Sequence, residues 1–181
     1  MVMKNFKPFG PNKEENIQRV EKGEKVKFPA DYREFLLTVG GGIYPQVKNP
    51  NAGPEDNVLY DKKPLGFKFR SDGEWILDRF EILYGCLRNG HPEYDIESRL
   101  WVWDANEDDY ENPDKIIPIG RTQYGNTLVL LLNKKEYGNV GYWDAKEIVD
   151  NPDGDYGITI LTNTFTEFLE KLNDESLKGK N

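Results

Sequence analysis

Three stretches decide the fold: Ile116-Ile117-Pro118-Ile119, Thr127-Leu128-Val129-Leu130-Leu131-Leu132 and Gly138-Asn139-Val140-Gly141-Tyr142-Trp143. Each is rich in β-branched, aromatic or aliphatic residues, and Gly- and Asn-containing turns separate them. They therefore read as neighbouring strands of an antiparallel sheet. Leu128 to Leu132 does not alternate with polar residues. That pattern predicts a strand covered on both faces, by helices on one side and by loops or a helix on the other. Downstream, Ile158 to Leu161 adds a last strand. Thr164 with Glu167 then forms a capping box ahead of Phe165, Phe168, Leu169 and Leu172, the buried stripe of a C-terminal helix.

Upstream, Phe28-Pro29-Ala30-Asp31-Tyr32-Arg33-Glu34-Phe35-Leu36-Leu37 places proline in a first helical turn. The same segment sets Tyr32, Phe35, Leu36 and Val39 on one face, and Gly40, Gly41 and Gly42 stop it. Asn12 with Glu15 resembles a capping box, which predicts a short helix through Ile17 and Val20 up to Gly23. Residues 43–73 carry Pro45, Pro50, Gly53, Pro54 and Pro64, a loop signature with one strand around Leu65 to Phe69. Phe80 to Tyr84 predicts an edge-like strand. Asp95 to Ala105 favours a helix, with Leu100 to Trp103 also readable as strand. The expectation is an α+β fold in one domain over residues 1–172, followed by a polar C-terminal tail over residues 173–181.

Thirty-two acidic against twenty-four basic side chains give a net charge of −8, which repels polyphosphate. Lys25 to Lys27 and Lys62 to Lys63 are short and flanked by acids, so they read as solvated surface and no direct nucleic-acid partner is expected. Cys86 is the only cysteine and cannot form an intramolecular bridge. Polar Lys4, Asn5 and Lys7 stand where a signal peptide would need apolar residues, so a cytoplasmic location is expected. The aliphatic run Leu128 to Leu132 is far short of the ~20 residues that span a bilayer, so no membrane association is expected.

No motif supplies a catalytic constellation. Gly120-Arg121-Thr122-Gln123-Tyr124-Gly125-Asn126-Thr127 has phosphate-loop spacing, but Asn126 replaces the lysine and the chain continues as strand where a helix N-terminus is needed. Gly40 to Gly42 follows a helix, at the negative end of its dipole. Asp104-x-Asn106-x-Asp108 begins like a calcium loop, yet its sixth position is Asp109 and its twelfth is Lys115. Asp150 to Asp155 reads as a turn. His91, the one histidine, excludes multi-histidine metal sites. With Cys86 it lacks the context of a Cys-His pair, and there is no G-x-S-x-G elbow. No catalytic residue, cofactor or metal ligand is predicted. Paired carboxylates remain a third alternative, since their separation is a three-dimensional quantity.

The order of segments is recognisable. Phe28-Pro29-x-Asp31-Tyr32-Arg33-x-Phe35-Leu36 with Gly40-Gly41 comes first, then Ile117-Pro118-Ile119-Gly120 with Gly125-Asn126. Val140-x-Tyr142-Trp143-Asp144 and Phe165-x-x-Phe168-Leu169 follow. This series resembles the SUKH superfamily (SMI/KNR-type), which groups fungal cell-wall-synthesis regulators with bacterial immunity proteins. Two departures stand out: Val39-Gly40-Gly41 replaces the usual Asn-Gly-Gly, and Pro45 to Trp75 is longer than a minimal member needs. The resemblance implies a mixed, largely antiparallel sheet with flanking helices and no enzymatic activity. It also implies a bacterial antidote that binds and neutralises a cognate polymorphic or contact-delivered toxin, often a nuclease. A regulatory scaffold like the fungal members is the alternative. For an acidic inhibitor the complementary surface is a basic toxin groove. The expected partner-binding residues are the acidic stretch Asp104, Glu107, Asp108, Asp109, Glu111 and Asp114, with Tyr110 inside it and Tyr44 after the glycine turn as aromatic anchors.

Overall fold

A computed structural model describes residues 6–43, 66–71, 74–86, 94–97, 99, 115–122, 125–143 and 158–173, with the backbone alone for 66–71, 74–80 and 173. Strand β1 (Lys7–Pro8) is followed by helices α1 (Glu14–Gly23) and α2 (Ala30–Thr38), then by strands β2 (Gly42–Ile43), β3 (Gly66–Ser71) and β4 (Glu74–Leu83). Strands β5 (Ile116–Thr122), β6 (Thr127–Leu131), β7 (Val140–Trp143) and β8 (Ile158–Thr162) and helix α3 (Phe165–Asn173) complete the described elements. The strands run in the order β1-β2-β4-β5-β6-β7-β8, with β3 paired to β4. Every strand pair among the described residues is antiparallel, and the one parallel contact is an isolated bridge between Gly85 and Asp95. This is the expected α+β class.

The β6 run behaves as its composition predicts. Leu128, Leu130 and Leu132 enter the main core with α1, α2 and α3, while Val129 and Leu131 join Ile116 on the opposite face. Part-buried Trp143 and Ile158 pack beside that second group. Pro118 would be a misfit inside an ordinary ladder because it has no N–H to donate. It lies beside a register shift between Pro118 and Gly120, and pairing with β4 begins only at Gly120. A bulge is one of the few places where a sheet tolerates proline.

β4 corrects the expectation of an edge strand near Phe80 to Tyr84. It starts at Glu74, pairs with β3 over its first half and then lies between β2 and β5. The reason lies in Ile82, Leu83 and Tyr84, which are all buried. Three consecutive buried residues mark a strand covered on both faces, and such strands sit inside a sheet. At the segment expected to be a helix from Asp95 to Ala105, Ile96, Glu97 and Arg99 are helical. Residues 100–105 lie outside the described residues.

The first capping box is also corrected. Lys13 holds the N-cap position of α1 and no side chain caps it. Asn12 is buried, and its Oδ1 accepts the Cys86 N–H at 2.9 Å while its own N–H donates to Leu36 O at 2.9 Å. An unpaired N–H at a buried corner costs about 1–3 kcal/mol, whereas a helix end in water can be solvated. The amide therefore serves the corner, and α1 relies on Glu14 and Glu15 in its first turn to meet the positive end of its dipole. The second box holds with one shift. Thr164 Oγ1 accepts the Glu167 N–H at 3.1 Å, and Glu167 reaches back to the N–H of Asn163 at 3.1 Å.

α2 ends where Gly40 and Gly41 turn at φ of 77° and 91°, a region that favours glycine. A Cβ on Gly40 would stand 1.7 Å from Gly10 O, and one on Gly85 would stand 2.1 Å from Gly40 O. Gly10 N–H donates to Val39 O at 3.2 Å and Phe9 N–H to Gly41 O at 3.0 Å. The N-terminal arm, the end of α2 and the end of β4 thus meet backbone to backbone.

Two stability outcomes follow from this packing. Phe35 and Phe168 are both in the main core, 5% and 0% exposed, so truncating either to Ala is expected to cost ~3–5 kcal/mol in denaturant titration. A loss under about 1 kcal/mol at both positions would contradict the core assignment. Gly40→Ala combines a disfavoured φ with a backbone overlap and should cost more than the ~1–3 kcal/mol of strain alone. A variant that melts with the parent would show that the corner can open without penalty.

Candidate functional site

Tyr44, Asp104, Glu107, Asp108, Asp109, Tyr110, Glu111 and Asp114 lie outside the described residues, as does His91. The described chain fixes where these segments attach. Tyr44 follows Ile43, which pairs with Ile82, itself level with Arg121 on β5. Asp114 precedes Lys115, six residues before Arg121, about 20 Å along a strand at ~3.3 Å per residue. β2 runs away from the Lys115 end of β5, because each is antiparallel to β4. Ile43 and Lys115 therefore stand toward opposite ends of the sheet.

Cys86 is fully buried and free of any disulfide. Burial, with Asp95 nearby, pushes its thiol up to about 12, so it remains protonated at neutral pH and is a poor nucleophile. Tyr32 is completely buried among Phe28, Phe35 and Phe165, and desolvation holds its hydroxyl well above the ordinary phenol value. Among the described residues, no group of three His, Cys, Asp or Glu side chains is placed to hold a metal ion.

The segment with phosphate-loop spacing is a hairpin. Thr122 N–H donates to Asn126 O at 2.9 Å, Gly125 N–H to Thr122 O at 3.1 Å, and Asn126 N–H to Thr122 Oγ1 at 3.2 Å. These N–H groups are spent inside the turn and cannot cradle a phosphate. Asn126 Nδ2 donates to the Tyr142 hydroxyl, which ties the turn to β7. Gly125 turns at φ 86°. A Cβ on Gly120 would stand 2.5 Å from Ile82 O, so that glycine is required for the close approach of β4.

The remaining motif residues are spent in the same way. Asp31 Oδ1 accepts the Tyr32 N–H at 2.8 Å, and Oδ2 accepts the Thr166 N–H at 2.9 Å. One carboxylate thereby serves the first turns of both α2 and α3, where the helix dipoles favour negative charge. Tyr32 and Phe165 meet edge to face at 4.8 Å between centroids directly behind it. Sequence reasoning placed Asp31 only within the segment of the second helix and within the series of motifs that carries the resemblance. Nothing local announces its second partner, 135 positions away. Asn12 was missed for the reverse reason, since its spacing to Glu15 suggested a cap and concealed the tie to Cys86.

No helix among the described residues is long and apolar enough to cross a membrane. In comparison with known proteins, the chain is similar to the SPbeta prophage-derived uncharacterized protein YokK of Bacillus subtilis (strain 168). The two are 29% identical over 171 residues, which cover 93% of this chain and 78% of that relative. Residues 11–171 match the SMI1 / KNR4 family (SUKH-1). Asp31, Tyr32, Gly40, Gly41, Gly125 and Asn126 are accounted for by a helix end, a packed ring or a turn of the fold, and this chain belongs to the SMI1 / KNR4 family (SUKH-1).

Proposed function

We propose that the protein is an immunity protein that binds a cognate toxin and blocks it by occupying a basic surface, without catalysis of its own. The observation that carries this reading is the family match across residues 11–171, nearly the whole chain. The relative named above is prophage-derived and uncharacterized, so it adds family context and no partner. The chemistry is compatible. The net charge of −8 complements a nuclease groove, and the buried Cys86 is electrostatically silent near neutral pH. The motif residues Asp31, Gly40 and Gly41 are spent inside the fold, which leaves partner contact to other segments of the chain. Asp104 to Asp114 is the densest acidic segment in the chain and runs directly into β5.

Exposed charge pairs contribute only ~0.2–1 kcal/mol each, so steering by the acidic stretch acts chiefly on encounter. Co-purification with mass spectrometry is expected to return one tight toxin-like partner, and several loose partners would favour a regulatory scaffold instead. With that toxin on a surface-plasmon-resonance chip, replacing Glu107, Asp108 and Asp109 by Lys should slow association and flatten its salt dependence. Tyr110→Ala should chiefly speed dissociation. An unchanged association rate in the triple variant would remove the acidic stretch from the interface. In a toxin-challenge assay, Cys86→Ala and His91→Ala should both still protect. Lost protection in a variant that remains folded would reveal chemistry at those residues.

A further inference from the structure

Three separate stretches of sequence bring five exposed lysines to one end of the sheet. Lys25 and Lys27 come from the α1–α2 connection, Lys115 from the start of β5, and Lys134 and Lys135 from the β6–β7 turn. Lys115 Nζ approaches Lys25 O at 3.5 Å, across 90 positions of sequence. Leu132 N–H donates to Lys115 O at 2.9 Å, which sets the β6–β7 turn beside it. Tyr137, in that turn, donates its hydroxyl to Lys27 O at 2.9 Å and leaves its ring 48% exposed. Sequence alone shows these lysines as short runs among acids, and only the fold assembles them.

We propose that this lysine end docks a carboxylate-rich segment of a partner protein, with Tyr137 as its rigid aromatic anchor. Among the described residues, the acids Glu21, Asp31 and Glu136 near this end are already committed. Glu21 accepts the Phe28 N–H and faces Arg33, Asp31 holds two helix N-termini, and Glu136 accepts from Asn133. Among the described residues, none of the five ammonium groups has a carboxylate partner. The surface is also preorganised. Asn133 Oδ1 accepts the N–H groups of Lys135 and Glu136 at 3.0 and 2.9 Å, and Gly138 N–H closes the turn on Leu131 O at 2.8 Å. Lys25 and Lys115 adopt φ of 52° and 50°, where glycine or asparagine would be relaxed. Two neighbouring lysines thus occupy strained positions, a pattern found at functional surfaces.

The charge of the whole chain selects the partner class. The net −8 already includes these five positive charges, so the other 176 residues carry −13. A nucleic-acid duplex would overrun the patch onto that acidic remainder, whereas a short acidic peptide would not. The five cations are all lysines, point charges suited to scattered carboxylates, with none of the planar forks that grip phosphate in two-point fashion.

The proposal does not rest on the immunity reading, and its test needs no toxin. Fluorescence anisotropy with labelled decaglutamate should show binding to the full chain that weakens with salt. Replacing Lys25 and Lys115 together by Gly relieves both strained φ values, so the double variant should melt no lower than the parent yet bind the probe about tenfold more weakly. Lys7→Gln with Lys13→Gln removes the same charge elsewhere and should leave affinity unchanged. Absence of decaglutamate binding at low salt, equal weakening in the Lys7 and Lys13 control, or tighter binding of a DNA duplex of the same total charge would each overturn the proposal.

Discussion

The junction of Gly10, Gly40, Gly41 and Gly85 is the constraint from which the rest of the architecture hangs. Three chain segments cross there at backbone contact distance, and a single methyl on Gly40 would overlap the Gly10 carbonyl. Close approach creates a second problem, because backbone donors at a dry crossing cannot turn to water. The structure answers it with neighbouring carbonyls and with Asn12, whose side chain takes the Cys86 N–H. Gly85 N–H itself goes to Tyr94 O at 3.0 Å, and Ile96 N–H returns to Gly85 O at 3.0 Å. Once this corner closes, the end of α2, the start of α1 and the exit from β4 have fixed directions, and with them the face of the sheet that the helices cover.

Asp31 couples the other end of the helical layer. Its two oxygens serve first-turn N–H groups of helices far apart in sequence, so α3 docks on α2 through a polar contact as well as through rings. Phe35 and Phe165 at 5.0 Å, and Tyr32 and Phe165 at 4.8 Å, supply the apolar side of that contact. Rings contribute most of the buried area, and the shared carboxylate gives direction, since a slipped α3 would leave an orphan donor. The Asp31-Tyr32 and Phe165-x-x-Phe168-Leu169 pieces of the sequence are therefore two halves of one joint.

The helices at Glu14–Gly23, Ala30–Thr38 and Phe165–Asn173 and the strands from Ile116 to Thr162 were legible because each carries its own periodicity or turn residues. Non-local facts were not legible. Ile82-Leu83-Tyr84 reads as a half-buried strand until its partners on both sides are known, and Asn12 with Glu15 satisfies a capping pattern while its amide works elsewhere. Both errors have one cause. Local patterns report what a segment could satisfy by itself, whereas a buried donor such as the Cys86 N–H recruits whichever side chain the fold brings near it. The lysine end was hidden for the same reason, since its members come from positions 25 to 135. The acidic candidates and Tyr44 rest on composition alone, since both segments lie outside the described residues, whose nearest members Ile43 and Lys115 stand toward opposite ends of the sheet.

That separation bears on how a protein partner could be held. A standard interface covers about 800 Å² per partner, a patch roughly 30 Å across, so it can span the ~20 Å along the sheet between the levels of Ile43 and Lys115. Charge then divides the work. The acidic stretch precedes Lys115 in the sequence, so charge of both signs follows closely along the chain there, and a partner of one sign alone would meet attraction and repulsion in that segment. Such a mosaic adds little raw affinity, because exposed pairs are individually weak. It penalises every docking register except the one that places each sign against its complement. In a chain whose Gly40, Gly41 and Asp31 are consumed by its own corner and helix joint, charge arrangement elsewhere on the surface is a physical means of recognising one partner while leaving the scaffold unchanged.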